Sequence, residues 1–304
     1  MNKRKFVLSL ITTLAVVVIL FSVFNLFSSN PSFQDILDRS DDGKINILVV
    51  GVDKDGVRSD VNMLFSLNTK EKTINLMSIP RDTRVEWENG SHGKINASIG
   101  KENGEELLIE KVKELTGMPI HNFCKVNFEG LRNIIDILGG VEFDVPMDMD
   151  YDDPAQDLHI HLKKGTQVLN GADAEGLLRY RKGYATGDLG RIDMQQEFLK
   201  ALIDQKLRFK YIFKAIPVAK EIRENLETDM SVTYMLKCAW QFRDSDNVTF
   251  ESYTLPGEPK MISGVSYYIC DEDATETLVR TQFGYSDGES ADTGSDPINE
   301  KVID

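Results

Sequence analysis

Arg58 and Asp60 stand before one short apolar stretch, and Arg81 and Asp82 follow the next one. Arg179, Arg181, Arg191 and Gln195 lie far downstream. A guanidinium grips phosphate oxygens in a bidentate way, and a carboxylate can hold a bridging metal. Arginines with a few carboxylates are the groups that an Mg²⁺-pyrophosphate needs. The formal net charge is −14, so solubility does not call for arginines beside strand ends.

The spacing of each group carries its own information. Gly51-Val52-Asp53 puts a carboxylate just past the end of an apolar strand, where open sheets commonly bind ligands. Asp60 precedes the next strand. If the two strands are neighbours, Asp53 and Asp60 share one sheet edge and suit Mg²⁺, which takes oxygen ligands and keeps waters. Ordinary loop aspartates are the plainer reading, because turns favour them. Arg81-Asp82 after Pro80 also reads as a surface ion pair. Arg179 and Arg181 are two apart, a spacing that shares one side of an extended segment but not of a helix. The helix before them is therefore expected to end near Leu178, with both guanidiniums aimed one way. Arg191 and Gln195 are four apart at a helix start, hence on one face, at an end that favours anions. Asp188 precedes that helix as a cap or proton acceptor. His159 and His161 alternate and share a face if extended, but His92 and His121 are distant, and no zinc site is expected. No P-loop, GxGxxG or GxSxG motif occurs.

Elements of ordinary length must position these groups. Strands are predicted over 45–52, 61–67, 73–79, 121–126, 141–145, 248–255 and 265–269. Helices are predicted over 101–116, 128–138, 172–178, 191–207, 211–225, 232–243 and 271–283. Residues 151–157 read as an acidic loop. The mixture indicates an α/β domain over 44–283, a central mixed sheet covered by helices. Residues 284–304 are polar, acidic and expected to be disordered.

The acidic balance argues against nucleic acid, which needs a dense basic face. Cys124, Cys238 and Cys270 show no metal or redox spacing and read as buried thiols. Lys3-Arg4-Lys5 precedes an uncharged apolar run, 6–27, that spans roughly 33 Å as a helix. The run is too long for a signal-peptide core and no small-residue cleavage site follows, so an uncleaved signal-anchor is expected. Residues 1–5 then stay in the cytoplasm, 28–43 form a link, and the remainder lies outside the cell.

Taken together, VGVD ending at Asp53, RSDVNM from Arg58, SIPRDT from Ser78 and HGKINAS from His92 resemble the LytR-CpsA-Psr family. FEGLRNIIDILGGVEFDVP, LKKGTQVLNGADAEGLLRYRK and GDLGRIDMQQEFLKALI extend the match across 44–283. The resemblance implies a membrane-anchored phosphotransferase of cell-wall biogenesis. Such an enzyme moves a glycopolymer, teichoic acid or capsule, from undecaprenyl pyrophosphate to peptidoglycan through a phosphodiester. It implies Asp53 and Asp60 as Mg²⁺ ligands. It also implies Arg58, Arg81, Arg179, Arg181, Arg191 and Gln195 around the pyrophosphate, with Lys94 nearby and an apolar tunnel for the lipid. The loop from Asp53 to Asp60 is shorter than in many members, and the tail lies outside the pattern. Asp82 and Asp188 are alternative acceptors for the hydroxyl proton, and the sequence does not choose between them. Two other functions compete: a non-catalytic binder or regulator of lipid-linked wall precursors, and a polyprenyl pyrophosphate hydrolase. The short stub at 1–5 counts against direct regulation of DNA.

Overall fold

β1 (Lys44–Val52), β2 (Ser59–Asn68) and β3 (Thr73–Ser78) open the fold. A small ribbon, β4 (Arg84–Glu86) with β5 (His92–Lys94), precedes α1 (Gly104–Thr116), β6 (Asn122–Val126) and α2 (Phe128–Leu138). The strands β7 (Val141–Val145), β8 (Met149–Asp153), β9 (Leu158–Leu162) and β10 (Gly165–Leu169) lead to α3 (Gly171–Arg179) and α4 (Asp188–Lys206). Next come α5 (Ile212–Asn225), β11 (Glu227–Thr228), α6 (Val232–Gln241) and β12 (Thr249–Thr254). The hairpin β13 (Gly257–Ile262) and β14 (Val265–Cys270) is followed by α7 (Glu272–Leu278), which runs on as a π-helical turn, Val279–Phe283. This computed structural model describes residues 43–52, 56–154, 158–184, 186–206, 212–242 and 248–285. The apolar run 6–27, the link up to residue 42, Asp53 and the tail from 286 lie outside them. Among the described residues no helix is long and apolar enough to cross a membrane.

The main sheet has six strands in the order β11-β6-β1-β2-β3-β12. β1 runs antiparallel to β2 and parallel to β6, and β3 runs parallel to β12, so the sheet is mixed as expected. One face is closed. Leu48, Val50, Val52, Leu64 and Met77 pack with Leu108 and Val112 of α1 and with Val279 and Phe283. The other face is covered less evenly: Met63, Ile74, Leu76 and Phe250 are buried there. Ile47, Val49, Val61, Phe65 and Leu67 belong to the central strands, yet they are only half-buried. They meet Leu199 and Ile203 of α4 and, further along, Ile134, Ile222 and Met235.

A second core lies between α2, α3 and α4 and the ribbons β7/β10 and β8/β9. Phe198 of α4 is fully buried there, edge-on to Phe143 at 5.7 Å. α2 starts at Asn127, whose side chain accepts from the Gly130 amide, and stops at Gly139 with φ +83°. A β-carbon at Gly171 would collide with the Arg132 carbonyl, so α3 sits tightly on α2 only with glycine there.

Several expectations need correction. Residues 151–153 are not loop but belong to β8, because Met149 turns into the second core while Asp150 and Asp152 face out. α3 includes Arg179, and α4 begins at Asp188, which is a first-turn residue and not a preceding cap. The strand expected over 265–269 does not close the main sheet; it pairs with β13 in a separate hairpin.

Phe198→Ala should cost about 3–5 kcal/mol in chemical denaturation, because it opens a cavity at the centre of the second core. A cost under about 1 kcal/mol would mean that this core collapses freely around the gap.

Candidate active site

Asp60, the second residue of β2, is where the predicted residues converge. Its Oδ1 accepts from Arg81 Nη1 at 2.6 Å and from Arg181 Nη2 at 3.1 Å. Its backbone carbonyl accepts from Arg191 Nη2 at 3.1 Å. Asp188 is the second carboxylate of the group, 2.9 Å from Arg191 Nη2 and 3.8 Å from Arg81 Nε. Three guanidiniums thus share two carboxylates, leaving the cluster one positive charge in excess.

Each arginine arrives on a different element. Arg81 follows β3 through Ile79-Pro80, Arg181 leaves the end of α3, and Arg191 projects from the first turns of α4. Arg191 is 2% exposed. Burial, against Asp188 and reinforced by Arg181 and Arg81, pulls its pKa down to about 10. Burial alone would raise the Asp60 carboxyl. The guanidiniums of Arg181, Arg81 and Arg191 outweigh it and hold Asp60 below the usual carboxylate range. Burial also works against the Arg81 cation, but Asp188, Asp60 and Asp82 outweigh it and raise its pKa.

A cleft opens at this point, lined by Asp60, Asn62, Arg81, Arg191 and Gln195 together with Val61, Met63, Ile79 and Ile192. The Nε atoms of Arg81 and Arg191 are buried without a hydrogen-bond partner. So are both amide atoms of Asn62, which is 2% exposed. Buried donors left unmet are costly, about 1–3 kcal/mol each, and two of these sit on guanidiniums. An anion with several oxygens would satisfy them.

Gln195 donates to the Leu178 carbonyl at 3.2 Å, tying α4 to the end of α3. Arg179 differs from expectation. Because α3 runs through it, its Nη1 meets Glu175 at 2.7 Å, and its guanidinium lies over the Phe128 ring at 4.2 Å. Arg181, past the helix end, goes instead to Asp60. Asp82 pairs with Lys94 of β5 at 3.0 Å. Arg58 is exposed just before β2, and Asp53 lies outside the described residues.

Sequence reasoning passed over Asn62 and Gln196. Asn62 lines the cleft with Asp60, and a polar residue in an apolar strand is the signal that was available. Gln196 donates to Ser78 Oγ, the Tyr253 carbonyl and Thr254 Oγ1, and so fixes α4 to β3 and β12. Nothing in its sequence context marks that role.

The residues fit Mg²⁺ conditionally. Among the described residues no hydrogen bond engages Asp60 Oδ2, so one carboxylate oxygen is open to a cation. The surrounding guanidiniums oppose a bare cation, which fits only alongside an anion.

Comparison with known proteins identifies the family and the fold. The chain is 34% identical over 222 residues to the polyisoprenyl-teichoic acid–peptidoglycan teichoic acid transferase TagV of Bacillus subtilis. That match takes in 72% of this chain and 56% of TagV, so it spans little more than half of that relative. TagU of B. subtilis, a transferase of the same description, is 28% identical over 77% of this chain and 76% of its own. The crystal structure of TagV superposes with a TM-score of 0.68 and 31% identity, over 79% of this chain and 96% of that one. A structure of TagT bound to LI-WTA superposes with a TM-score of 0.64 at 25% identity, over 80% and 92%. The LytR_cpsA_psr family description matches residues 25–283, nearly all of the folded part, and the chain belongs to that family.

Proposed function

We propose that this chain is a phosphotransferase that moves a glycopolymer from a polyisoprenyl pyrophosphate carrier to peptidoglycan through a phosphodiester bond. The observation that carries the reading is the cleft itself. The buried Arg191 and the half-buried Arg81 leave Nε donors unmet in a cleft whose lining also takes in Val61, Met63 and Ile79, beside half-buried apolar residues of the central sheet. A pyrophosphate joined to a long apolar chain has that same polarity. The names of TagV and TagU support teichoic acid as the polymer and polyisoprenyl as the lipid, with undecaprenyl as our specific assignment.

In this reading the acceptor hydroxyl oxygen attacks the phosphorus nearer the sugar. A new P–O bond forms, the bridging P–O bond breaks, and polyisoprenyl phosphate leaves with the electron pair. Arg81, Arg181 and Arg191 hold the nonbridging oxygens and stabilise charge that grows in the transition state. Gln195 lines the same cleft. Arg179, held by Glu175, and Arg58 and Lys94 are assigned to the pyrophosphate by the family resemblance alone. Asp188 already serves two guanidiniums, which weakens it as a base. We therefore assign the hydroxyl proton to Asp82, whose partner is the single ammonium of Lys94. Asp60 with Asp53 would hold Mg²⁺, which supplies charge neutralisation on the pyrophosphate when bound. The apolar run 6–27 anchors the chain in the membrane and keeps the site near its lipid-linked donor.

The test is full-length protein in detergent with a polyisoprenyl pyrophosphate glycopolymer and peptidoglycan oligomers, its products read by mass. A phosphodiester conjugate plus polyisoprenyl phosphate is expected; free polymer phosphate plus polyisoprenyl phosphate, with no conjugate, would instead make it a hydrolase. Asp60→Asn and Asp82→Asn should abolish transfer with the fold intact by circular dichroism, Asp60→Asn also lowering the melting temperature because two guanidiniums lose their carboxylate. Arg179→Lys and Arg181→Lys should each lose at least about tenfold, roughly 1.4 kcal/mol, because lysine cannot reproduce the fork. Arg223→Lys on the exposed side of α5 should be neutral. Equal losses at all three arginines would show that only general charge matters.

Leu199→Trp tests the lipid path, since Leu199 is half-buried against the open sheet face. Binding of a long-chain donor should fall while binding of a short soluble pyrophosphate and the melting temperature hold. A destabilised variant that binds both alike, as overpacking by about 1–3 kcal/mol would give, sinks the assignment.

Topology has a direct check. Protease added to intact protoplasts should digest the domain from residue 44 onward. Protection of that domain would reverse the proposed orientation.

A further inference from the structure

The β8/β9 ribbon presents a group of side chains that the proposed transfer reaction does not use. The register sets Asp152 opposite His159 and Asp150 opposite His161. All four are exposed and lie on one face, while Met149, Leu158, Ile160 and Leu162 face the second core. His159 Nδ1 is 2.5 Å from Asp152 Oδ1, and His161 Nδ1 is 2.7 Å from Asp150 Oδ1. His161 Nε2 also comes within 3.5 Å of Asp152 Oδ1. Ligand atoms of Asp152, His159 and His161 all lie within 4.8 Å of one another. Sequence spacing alone offered two histidines; the pairing with β8 adds the carboxylates.

We propose that this face binds one divalent transition-metal ion of the zinc class, through His159, His161 and Asp152, with Asp150 as a fourth oxygen or as the partner that orients His161. Two imidazoles with a carboxylate are the donor set that zinc, copper and nickel take, whereas magnesium and calcium prefer oxygen alone. Alternation on a strand fixes both rings on one side, and the paired strand brings the acid across at cross-strand distance. Structural zinc ligands stand about 2.0–2.2 Å from the ion, so donors this close to one another converge with small side-chain rotations. The site is open to solvent, and water completes the shell. A Nδ1–carboxylate hydrogen bond of the kind His161 makes is the usual outer partner of a metal-bound histidine. Two cross-strand ion pairs without metal are the competing account of the same geometry.

The ion's effect would be to pin the ribbon. Tyr151 lies on the opposite side of β8 from the two aspartates, and Lys182 Nζ lies 4.4 Å above its ring. Lys182 is next to Arg181 in the chain, so a stiffened ribbon steadies the segment that delivers Arg181 to Asp60. The metal site itself stands whether or not the transfer reaction is right.

The experiment is titration of metal-free full-length protein, in detergent, with Zn²⁺ by calorimetry and with Co²⁺ by visible absorption. One saturable site is expected, with a Co²⁺ spectrum showing nitrogen ligation, and excess Mg²⁺ should not displace the Zn²⁺. His159→Ala, His161→Ala and Asp152→Asn should each weaken binding by at least about tenfold. His92→Ala, which touches a separate His–Glu pair, should bind as the parent does. Metal-free melting temperatures check that the variants fold, which their exposure favours. No saturable binding, binding that survives loss of both histidines, or displacement by Mg²⁺ each overturns the proposal and leaves the ion-pair account.

Discussion

Arg191 is a cation with almost no access to water, and the site is built around the problem it creates. Removing a guanidinium from solvent costs several kcal/mol unless its charge and donors are matched. Asp188 and the Asp60 carbonyl match part of it. Arg81 and Arg181 stand close enough to undo some of that relief. Asp60 holds the group together by accepting from two of the three guanidiniums and lending its carbonyl to the third. The excess positive charge and the unmet Nε donors are a preorganised demand for an anion. Such preorganisation is useful because the donors need not be gathered at the moment of reaction.

The scaffold explains how so costly a cluster survives. Asp60 sits where the β1/β2 register shifts, between Val61 opposite Gly51 and Ser59 opposite Val52, so a bulge at the end of an otherwise continuous pairing presents it. Arg191 is fixed by α4, and α4 is fixed at several levels by Phe198 in the second core and by Gln196 on β3 and β12. Arg81 follows a strand whose last residues are buried, and Thr83 then turns back onto the Pro80 carbonyl. The side chains that repel one another are therefore held by elements whose stability comes from elsewhere. Glu175 plays the same part for Arg179, since it is buried and takes both Arg179 and Arg132.

Much of this was legible in the chain, for identifiable reasons. Strands such as Lys44–Val52 and helices such as Phe128–Leu138 carry strong periodicity and glycine stops, and they appear where the pattern puts them. Short motifs at strand and helix ends singled out Arg81, Arg181, Arg191 and Asp60, but their bonds to Asp60 were not foreseen, since Asp60 was expected to face a metal. What was missed depended on partners distant in sequence. β8 looked like loop because its outward residues are acidic, and only pairing with β9 shows the alternation. β13 contains Pro259 and is exposed along most of its length, so nothing apolar marks it. The two-residue spacing of Arg179 and Arg181 was correctly noticed but wrongly resolved, since helix α3 ends one residue later and sends the two guanidiniums to different partners.

The half-buried sheet face carries the argument one step further. Central strands of a mixed sheet are ordinarily the best-covered surface in a domain, because helices pack on both sides. Here one side is closed by α1, while the other leaves Val49, Val61, Phe65 and Leu67 partly open beneath α4. Close packing is the default of protein interiors, and leaving apolar surface open forgoes contacts that would stabilise the fold. An incompletely covered sheet centre next to an overcharged cleft is two unfavourable features side by side. Neither helps folding. A ligand with an anionic head joined to an apolar chain relieves both at once, and the covalent link between head and chain explains why the two defects adjoin.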